Sequence, residues 1–313
     1  MKYVWQKLRD RIYVAADGSG WRNSRAYVPT PVLRADGTIR VYVAFLDTEN
    51  RGRIGFVDVD GADPSRITRI SERPVLDIGS PGAFDDSGVA PVCALAIGSE
   101  YWMYYIGFQK SVAVPYHIFT GLAISRDGGE SFQRTSSVPI LDRTPFGLLL
   151  RSSPYVMSPS SASDRWRMWY SAGHQPHATA SDWVPSYGMY YAESANGVEW
   201  SGSPERIMSP KWPVEFGVGK PWVRHKDGGL EMFYSIRSEE YGYRIGYATS
   251  LDGLDWRRQD ECAGLDVSET GWDSEMVAFP ALCTTPRHTY LFYNGNGIGK
   301  TGFGAAKLLA VED

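Results

Sequence analysis

The stretch Gly219-Lys220-Pro221-Trp222-Val223-Arg224 is one of five proline-marked strand starts in a sequence of 313 residues. Matching stretches place their prolines at Pro31, Pro91, Pro154 and Pro280, so that successive prolines lie 59 to 67 residues apart. A unit of this length that recurs five times is typical of a radial repeat protein, in which each unit forms one sheet. The spacing therefore predicts a five-bladed β-propeller.

Each unit repeats the same order of apolar segments around its proline. A second segment rich in aromatic and β-branched residues follows, such as YWMYYI at 101–106, and a third follows a polar loop, such as YGMYYAE at 187–193. Residues of these types favour strands. We therefore expect an all-β protein that forms one domain over residues 1–313.

Three units end their third strand in a shared turn, which contains Asp127-Gly128, Asn196-Gly197 or Asp252-Gly253. These dipeptides are strong hairpin signals, because glycine accepts a positive φ and Asp or Asn tolerates it. The first turn, Ser125 to Phe132, matches the Asp box of sialidases, which lies on the far side of a propeller from the active site. We interpret all three turns as structural.

The fifth unit ends after its third strand, near Leu309. Trp5 and the segment 7–14 resemble the outer strands that follow an aromatic residue in the other units. We expect this N-terminal strand to complete the last blade and so to close the ring without an exposed edge.

The composition excludes several classes of partner. The formal net charge is −4 and basic and acidic residues are interspersed, which argues against nucleic acid or an anionic membrane as a partner. No apolar run approaches a membrane span of ~20 residues, and the N-terminus lacks the apolar region of a signal peptide, so we expect a cytoplasmic protein. Three cysteines form no paired framework. His174 and His177 have no third ligand spaced beside them, so we predict no metal and no cofactor.

Ionisable residues recur five or six positions before the prolines in four of the five units. They are Arg25, Asp85, Asp86, Glu215 and Glu275. Because inner strands begin at the mouth of a propeller funnel, these charges converge, and convergence shifts pKa values and makes carboxylates usable as acid or base. The alternative is an ion-pair ring that holds the blades in register.

The repeat, the Ser-x-Asp-Gly-x-x-Trp turn at 250–256 and the acidic residues ahead of the inner strands resemble the five-bladed propeller glycosidases. These are glycoside hydrolase families 32, 43 and 68 and the related mannoside phosphorylases of family 130. The resemblance implies carbohydrate chemistry by a carboxylate pair. The hydrolases usually place an essential Asp at the first inner strand, where this chain has Arg25 and no acid.

The resemblance implies a glycoside-processing enzyme, either a hydrolase or a phosphorylase. Glu215 is then the predicted general acid, Asp86 or Asp85 the base or nucleophile, and Glu275 the residue that orients substrate. A non-catalytic carbohydrate-binding or scaffold propeller is the alternative. The sequence leaves the oligomeric state open.

Basic residues near the predicted funnel indicate a ligand with an anionic group, such as an acidic sugar or a sugar phosphate. The residues predicted to bind it are Arg25, Arg151, Lys220, His117, His174, Arg237 and Trp183. Four tryptophans near the funnel either stack on sugar faces or cap the blades. They are Trp183, Trp21, Trp212 and Trp272.

Overall fold

The computed structural model describes residues 1–8, 10–15, 20–161, 163–178, 183–203 and 205–312, except for the side chains of 174–176, 178, 183 and 184. In these residues the only helical elements are a 3-10 turn at Asp260–Ala263 and one turn at Asn296–Gly299. No helix in these ranges is long and apolar enough to cross a membrane. The prediction of a nearly all-β chain is confirmed.

The described strands pair antiparallel in groups of four. The chain begins with β1 (Lys2–Lys7). Group one is β2 (Ser24–Leu33), β3 (Thr38–Leu46), β4 (Gly52–Asp60) and β5 (Ile67–Ile70). Group two is β6 (Gly88–Ile97), β7 (Glu100–Lys110), β8 (Tyr116–Ser125) and β9 (Gln133–Arg134). Group three is β10 (Leu150–Met157), β11 (Trp166–Ala178), β12 (Trp183–Ser194) and β13 (Ser201–Gly202). Group four is β14 (Glu215–Lys226), β15 (Gly229–Ser238), β16 (Gly242–Ser250) and β17 (Arg257–Arg258). Group five is β18 (Ala278–Thr284), β19 (Thr289–Asn294), β20 (Phe303–Glu312) and β1.

The first strands of the groups contact one another in cyclic order. Strand β2 contacts β6, β6 contacts β10, β10 contacts β14, β14 contacts β18, and β18 contacts β2. The hydrophobic core is divided in the same way, since each main cluster of buried side chains joins two neighbouring groups. For example, Tyr42 and Phe56 of group one pack with Met103 and Tyr105 of group two. Burial between neighbours is how a repeat protein stabilises units that have no separate core.

The N-terminal strand forms the outer edge of group five. Tyr3 pairs with Val311 of β20, and its side chain is buried against Phe233 and Tyr247 of group four. The hydroxyl of Tyr3 donates a hydrogen bond to the buried carboxylate of Glu231. Residues from the two ends of the chain therefore share one core cluster with group four.

The Asp-Gly and Asn-Gly turns connect neighbouring groups. Asp127 Oδ1 accepts main-chain hydrogen bonds from Glu130 and Ser131, each at 3.0 Å, which fixes the first turn. The carbonyl of Gly129 in the same turn accepts a hydrogen bond from the hydroxyl of Tyr42 in group one at 3.1 Å. Such contacts give this turn the structural role that the sequence indicates.

The other two turns repeat this contact. The carbonyl of Gly197 accepts a hydrogen bond from the Tyr104 hydroxyl at 2.8 Å. The carbonyl of Gly253 accepts one from Nε1 of Trp169 at 2.7 Å. In all three turns the donor is an aromatic side chain of the preceding group's second strand, so the turns dock each group on its neighbour.

Candidate ligand-binding cavity

A cavity of about 400 Å³ lies where the first strands of the groups converge. All groups contribute to its wall, through residues such as Val28, Phe108, Ser153, Lys220 and Phe279. Its size is in the range of ~300–1,000 Å³ that small-molecule sites occupy.

Backbone strain is concentrated at this cavity. Eight described residues other than glycine have a positive φ, and six of them line the cavity. The six are Arg25, Val28, Ser153, Lys220, Phe279 and Ile298. Each such conformation costs on the order of 1–3 kcal/mol, and residues of this kind cluster at functional sites. The strain therefore makes the cavity the candidate functional site.

Bulges in the first strands explain three of these conformations. Ser153, Lys220 and Phe279 each lie directly before a repeat proline, at a shift in the pairing of the first strand with the second. A bulge leaves its extra residue outside the ladder and re-aims the side chain, and proline, which has no N–H, is tolerated there. Pro154, Pro221 and Pro280 thus mark bulges inside the first strands and not the strand starts that the sequence predicted.

The charged side chains that line the described cavity wall are all cationic, namely Arg25, Lys220 and Arg237. The Arg25 guanidinium donates a hydrogen bond to the carbonyl of Ile298 at 2.8 Å. The Arg237 guanidinium lies 5.5 Å from the ring centroid of Tyr243, which also lines the cavity. No carboxylate belongs to the part of the wall that the structure describes. The cavity therefore favours an anionic group.

Lys220 is the most constrained of the three cations. Its side chain is buried, and within the described residues its Nζ has no hydrogen-bond partner. Burial lowers the pKa of Lys220 to about 8, although the nearby Cys93 acts in the opposite direction. The amine is still mostly protonated at neutral pH, and a buried cation is costly unless it is paired. A carboxylate or phosphate in the cavity would supply that pairing.

Hydroxyl groups make up most of the remaining polar wall. They belong to Ser152, Ser153, Ser171, Ser235, Tyr27, Tyr116, Tyr187 and Tyr243. The hydroxyls of Tyr187 and Tyr243 lie 3.5 Å apart. Serine and tyrosine hydroxyls both donate and accept hydrogen bonds, and the tyrosine rings offer flat apolar surface. The wall thus suits a ligand that is rich in hydroxyl groups.

The four predicted catalytic carboxylates lie away from this wall. Glu215 is buried in an ion pair with Arg258, with N–O distances of 2.8 and 2.9 Å. Asp86 accepts hydrogen bonds from the Gly82 amide at 2.9 Å and the Ser87 hydroxyl at 2.7 Å.

Asp85 and Glu275 complete this set. Asp85 is buried and accepts hydrogen bonds from Arg134 Nε at 2.7 Å and from the Tyr105 hydroxyl at 3.0 Å. Glu275 is exposed, and its amide donates to Asn296 Oδ1 at 2.8 Å. The structure does not bring the four carboxylates together at the cavity, and their catalytic role stays a prediction.

The ion pair of Asp85 recurs in group five. There Asp273 accepts hydrogen bonds from Lys7 of β1 at 2.7 Å and from the Tyr293 hydroxyl at 2.9 Å. In both groups an acid ahead of the first strand meets a base on the outer strand and a tyrosine on the second strand. Each of these ion pairs lies within one group, and the alternative interpretation of the sequence, an ion-pair ring that holds the blades in register, stays a prediction.

Three of the predicted binding residues line the cavity, namely Arg25, Lys220 and Arg237. Arg151 lies behind the wall, where its guanidinium donates to the carbonyl of Asp142 at 2.9 Å. His117 stacks against Phe119, and burial together with the nearby charge of Arg143 lowers its pKa. The side chains of His174 and Trp183 lie outside the described part of the structure.

Sequence reasoning missed the serines and tyrosines of the wall. Ser153 occupies the same position before its proline as Lys220 and Phe279. Counting one residue back from each proline, in place of five or six, finds Ser153, Lys220 and Phe279, but it finds none of the tyrosines.

No protein-family model matches the chain. Solved structures with the same fold include a thermostable family-43 glycoside hydrolase, at 14% identity and a TM-score of 0.73, covering 98% of this chain and 94% of that one. A structure from the family-130 mannoside phosphorylases, a family stated to contain β-1,2-mannoside hydrolases, has 14% identity and a TM-score of 0.72, covering 100% and 97%. The family-32 β-fructofuranosidase of Bombyx mori has 14% identity and a TM-score of 0.66, covering 95% and 61%.

The chain therefore has the fold of the propeller glycosidase superfamily, as its sequence resemblance predicted. It belongs to the family of the Mycobacterium tuberculosis protein named "Uncharacterized protein Rv1502", with which it shares 33% identity over 308 residues. The match covers 97% of this chain and 99% of the relative.

Proposed function

We propose that this chain is a five-bladed propeller, closed by β1, whose central cavity binds a carbohydrate that carries a carboxylate or phosphate group. The observation that carries the proposal is the charge of the cavity, where Arg25, Lys220 and Arg237 line the wall and no carboxylate belongs to its described part.

The pairing of the strands supports the blade count and the closure. Each group of four strands packs on the next, the first strands contact one another in cyclic order, and β1 pairs with β20. In a closed ring every blade packs between two neighbours, and the sheet edges that remain are the outer strands, which in groups one to four are only two to four residues long.

The contrast between the cavity and the whole chain supports an anionic ligand. The chain has a formal net charge of −4, whereas the charged groups of the described wall are all positive. A cleft lined by one sign of charge raises the local concentration of ligands of the opposite sign. Because the chain as a whole is negatively charged, the positive charge of the cavity wall indicates a specific role in binding an anion.

The uncharged part of the wall supports a carbohydrate as the body of that ligand. Tyrosine rings and serine hydroxyls surround the cations, and a cavity of about 400 Å³ suits a small sugar. The likeness in fold to glycoside hydrolases points to the same class of ligand.

Calorimetric titration tests the proposal with two sets of sugars. One set is glucuronic acid, galacturonic acid, glucose 6-phosphate and mannose 6-phosphate, and the other is the methyl glycosides of the parent sugars. We expect at least one anionic sugar to bind at least tenfold more tightly than its neutral parent, with an affinity that falls as salt is added. Equal affinity for both sets, or binding of neither, would contradict the proposal.

Cleavage or phosphorolysis of a glycosidic bond is a second candidate function, which the likeness in fold to glycosidases favours. It requires two carboxyl groups about 5–5.5 Å or about 6.5–9.5 Å apart around the bond. Glu215, as general acid, would have to leave Arg258 to reach the cavity, with Asp85, Asp86 or Glu275 as its partner. Product analysis of uronosides and neutral glycosides, with and without phosphate, tests this candidate. If no substrate is turned over, the catalytic candidate fails and only the binding function remains.

A further inference from the structure

Trp212 differs from the other described tryptophans ahead of the first strands, because most of its surface is exposed. Its exposed fraction is 66%. By contrast, Trp272 is stacked on Tyr293 with ring centroids 5.2 Å apart, and Trp21 packs against Phe45 at 5.5 Å. Those two rings fill the interior of the sheets. The indole of Trp212 presents a large apolar face to solvent, and tryptophan is enriched at binding interfaces.

A continuous row of rings leads from Trp212 to the cavity wall. The ring of His177 meets Trp212 edge to face with centroids 5.5 Å apart, and stacks on Phe216 at 4.7 Å. The Arg237 guanidinium lies 4.9 Å from the centroid of Phe216 and lines the cavity. The exposed indole is therefore linked to the cationic cavity by ring contacts, in which Phe216 is the buried link.

The loop that carries Trp212 is fixed by the ion pair of Glu215. Glu215 Oε2 accepts a hydrogen bond from the Lys211 amide at 2.8 Å, and the Lys211 carbonyl accepts one from the Glu215 amide at 3.0 Å. Arg258, which pairs with Glu215, also donates to the carbonyl of Ser209 at 3.2 Å. A ring held in this way loses little conformational freedom when a ligand binds.

We propose that Trp212 is a second carbohydrate subsite, which stacks on a sugar ring of an anionic oligosaccharide whose charged end occupies the cavity. This inference rests on the proposed function. The occupant is argued from continuity, because the row of rings joins Trp212 to the cavity that takes the anionic group. In this arrangement Glu215 is a positioning residue, which acts on the ligand through the loop and Trp212.

The test measures how affinity depends on ligand length. Calorimetric titrations use two series of ligands. One is galacturonic acid with its disaccharide and trisaccharide, and the other is mannose 6-phosphate with the disaccharide and trisaccharide of mannose that bear one 6-phosphate group. In the series that binds, we expect Trp212→Ala to weaken the trisaccharide by about tenfold or more and to leave the monosaccharide within about twofold. Trp212→Phe should retain part of the increase in affinity from the monosaccharide to the trisaccharide. The control Leu251→Ala, at a residue that is 89% exposed in the turn after β16, changes neither.

The outcomes separate this inference from the function on which it rests. If a monosaccharide binds but affinity does not rise with length, or Trp212→Ala has no effect on the trisaccharide, this inference is wrong and the proposed function stands. If neither series binds, this inference fails, and the proposed function fails with it unless glucuronic acid or glucose 6-phosphate binds.

A second variant tests the positioning role. Glu215→Gln is expected to lower trisaccharide affinity with monosaccharide affinity kept, and combining it with Trp212→Ala should add nothing further, because both changes act through one ring. Additive losses would contradict a role exerted through Trp212.

Discussion

Glu215 and Arg258 form a paired ion contact in which the two carboxylate oxygens accept hydrogen bonds from the two terminal nitrogens of one guanidinium. Both side chains are largely buried, with exposed fractions of 6% and 11%. Removing one partner of a buried pair costs about 3–5 kcal/mol when the other charge is left unpaired. Arg258 also pairs with Asp260 at 2.8 Å, so the loss of Glu215 leaves the guanidinium one carboxylate partner and costs less than this.

We therefore predict that Glu215→Ala lowers the free energy of unfolding by about 1–3 kcal/mol, measured by urea denaturation. The double variant Glu215→Ala with Arg258→Met should lose less than the single variant, since it removes the guanidinium that faces the emptied site, while Asp260 keeps Lys211 and the Tyr234 hydroxyl as partners. If the double variant were less stable than Glu215→Ala alone, the loss in the single variant would not come from the charge of Arg258.

The Asp127 turn gives a prediction for stability without an effect on binding. Asp127→Ala should lower the free energy of unfolding by on the order of 1 kcal/mol, because two main-chain amides lose their acceptor. Anion binding in the cavity should be unchanged. Asn196→Ala in the equivalent turn is the matched variant, since Asn196 Oδ1 also accepts two main-chain amides. Loss of binding at unchanged stability would show that the turn belongs to the site.

The same residue predicts how stability depends on pH. Burial alone would raise the pKa of Asp127, but hydrogen bonds from Ser125, Ser131 and the main chain lower it to about 2. The folded protein therefore holds the carboxylate in its charged form, and the stabilisation is present above the ordinary pKa of ~4 and is lost as the pH falls toward 2. Asp127→Asn should reduce the loss of stability over this range in denaturation curves measured from pH 5 to pH 2. An unchanged slope would contradict the prediction.

Lys220 is expected to reduce stability while it supports binding. The buried amine is costly to fold around, so we predict that Lys220→Met raises the melting temperature by a few degrees. The same change should weaken the binding of an anionic sugar by about tenfold, through loss of a charge-assisted hydrogen bond. In the wild-type protein, affinity should fall as the pH rises through the Lys220 pKa of about 8, and this dependence should be absent from the variant. A variant that binds normally would remove Lys220 from the site.

The N-terminal strand gives a prediction about closure. Deleting residues 1–7 removes β1, exposes the edge of β20 and takes Tyr3 and Trp5 from the core that they share with Phe233. We expect aggregation or a large drop in melting temperature. A truncated protein that stays monomeric and melts like the full chain would contradict the closure.

The repeat of prolines predicted the all-β fold and indicated Lys220, which lines the cavity, because a periodic pattern reports directly on repeated sheets. It could not place Glu215, since the choice between a free acid and an ion pair depends on Arg258, which lies 43 residues further along the chain. Of the ionisable residues counted five or six positions before the prolines, Arg25 lines the cavity and the four carboxylates do not. Bulges arise from the pairing of two strands, and neither strand shows the shift in its own sequence.

A crystal structure of the protein with the anionic sugar that binds most tightly in the titrations would place the ligand. Our account predicts the sugar in the central cavity, with its carboxylate or phosphate oxygens within hydrogen-bond distance of at least two of Arg25, Lys220 and Arg237. A sugar bound elsewhere on the protein, or one in the cavity whose charged group faces solvent, would contradict it.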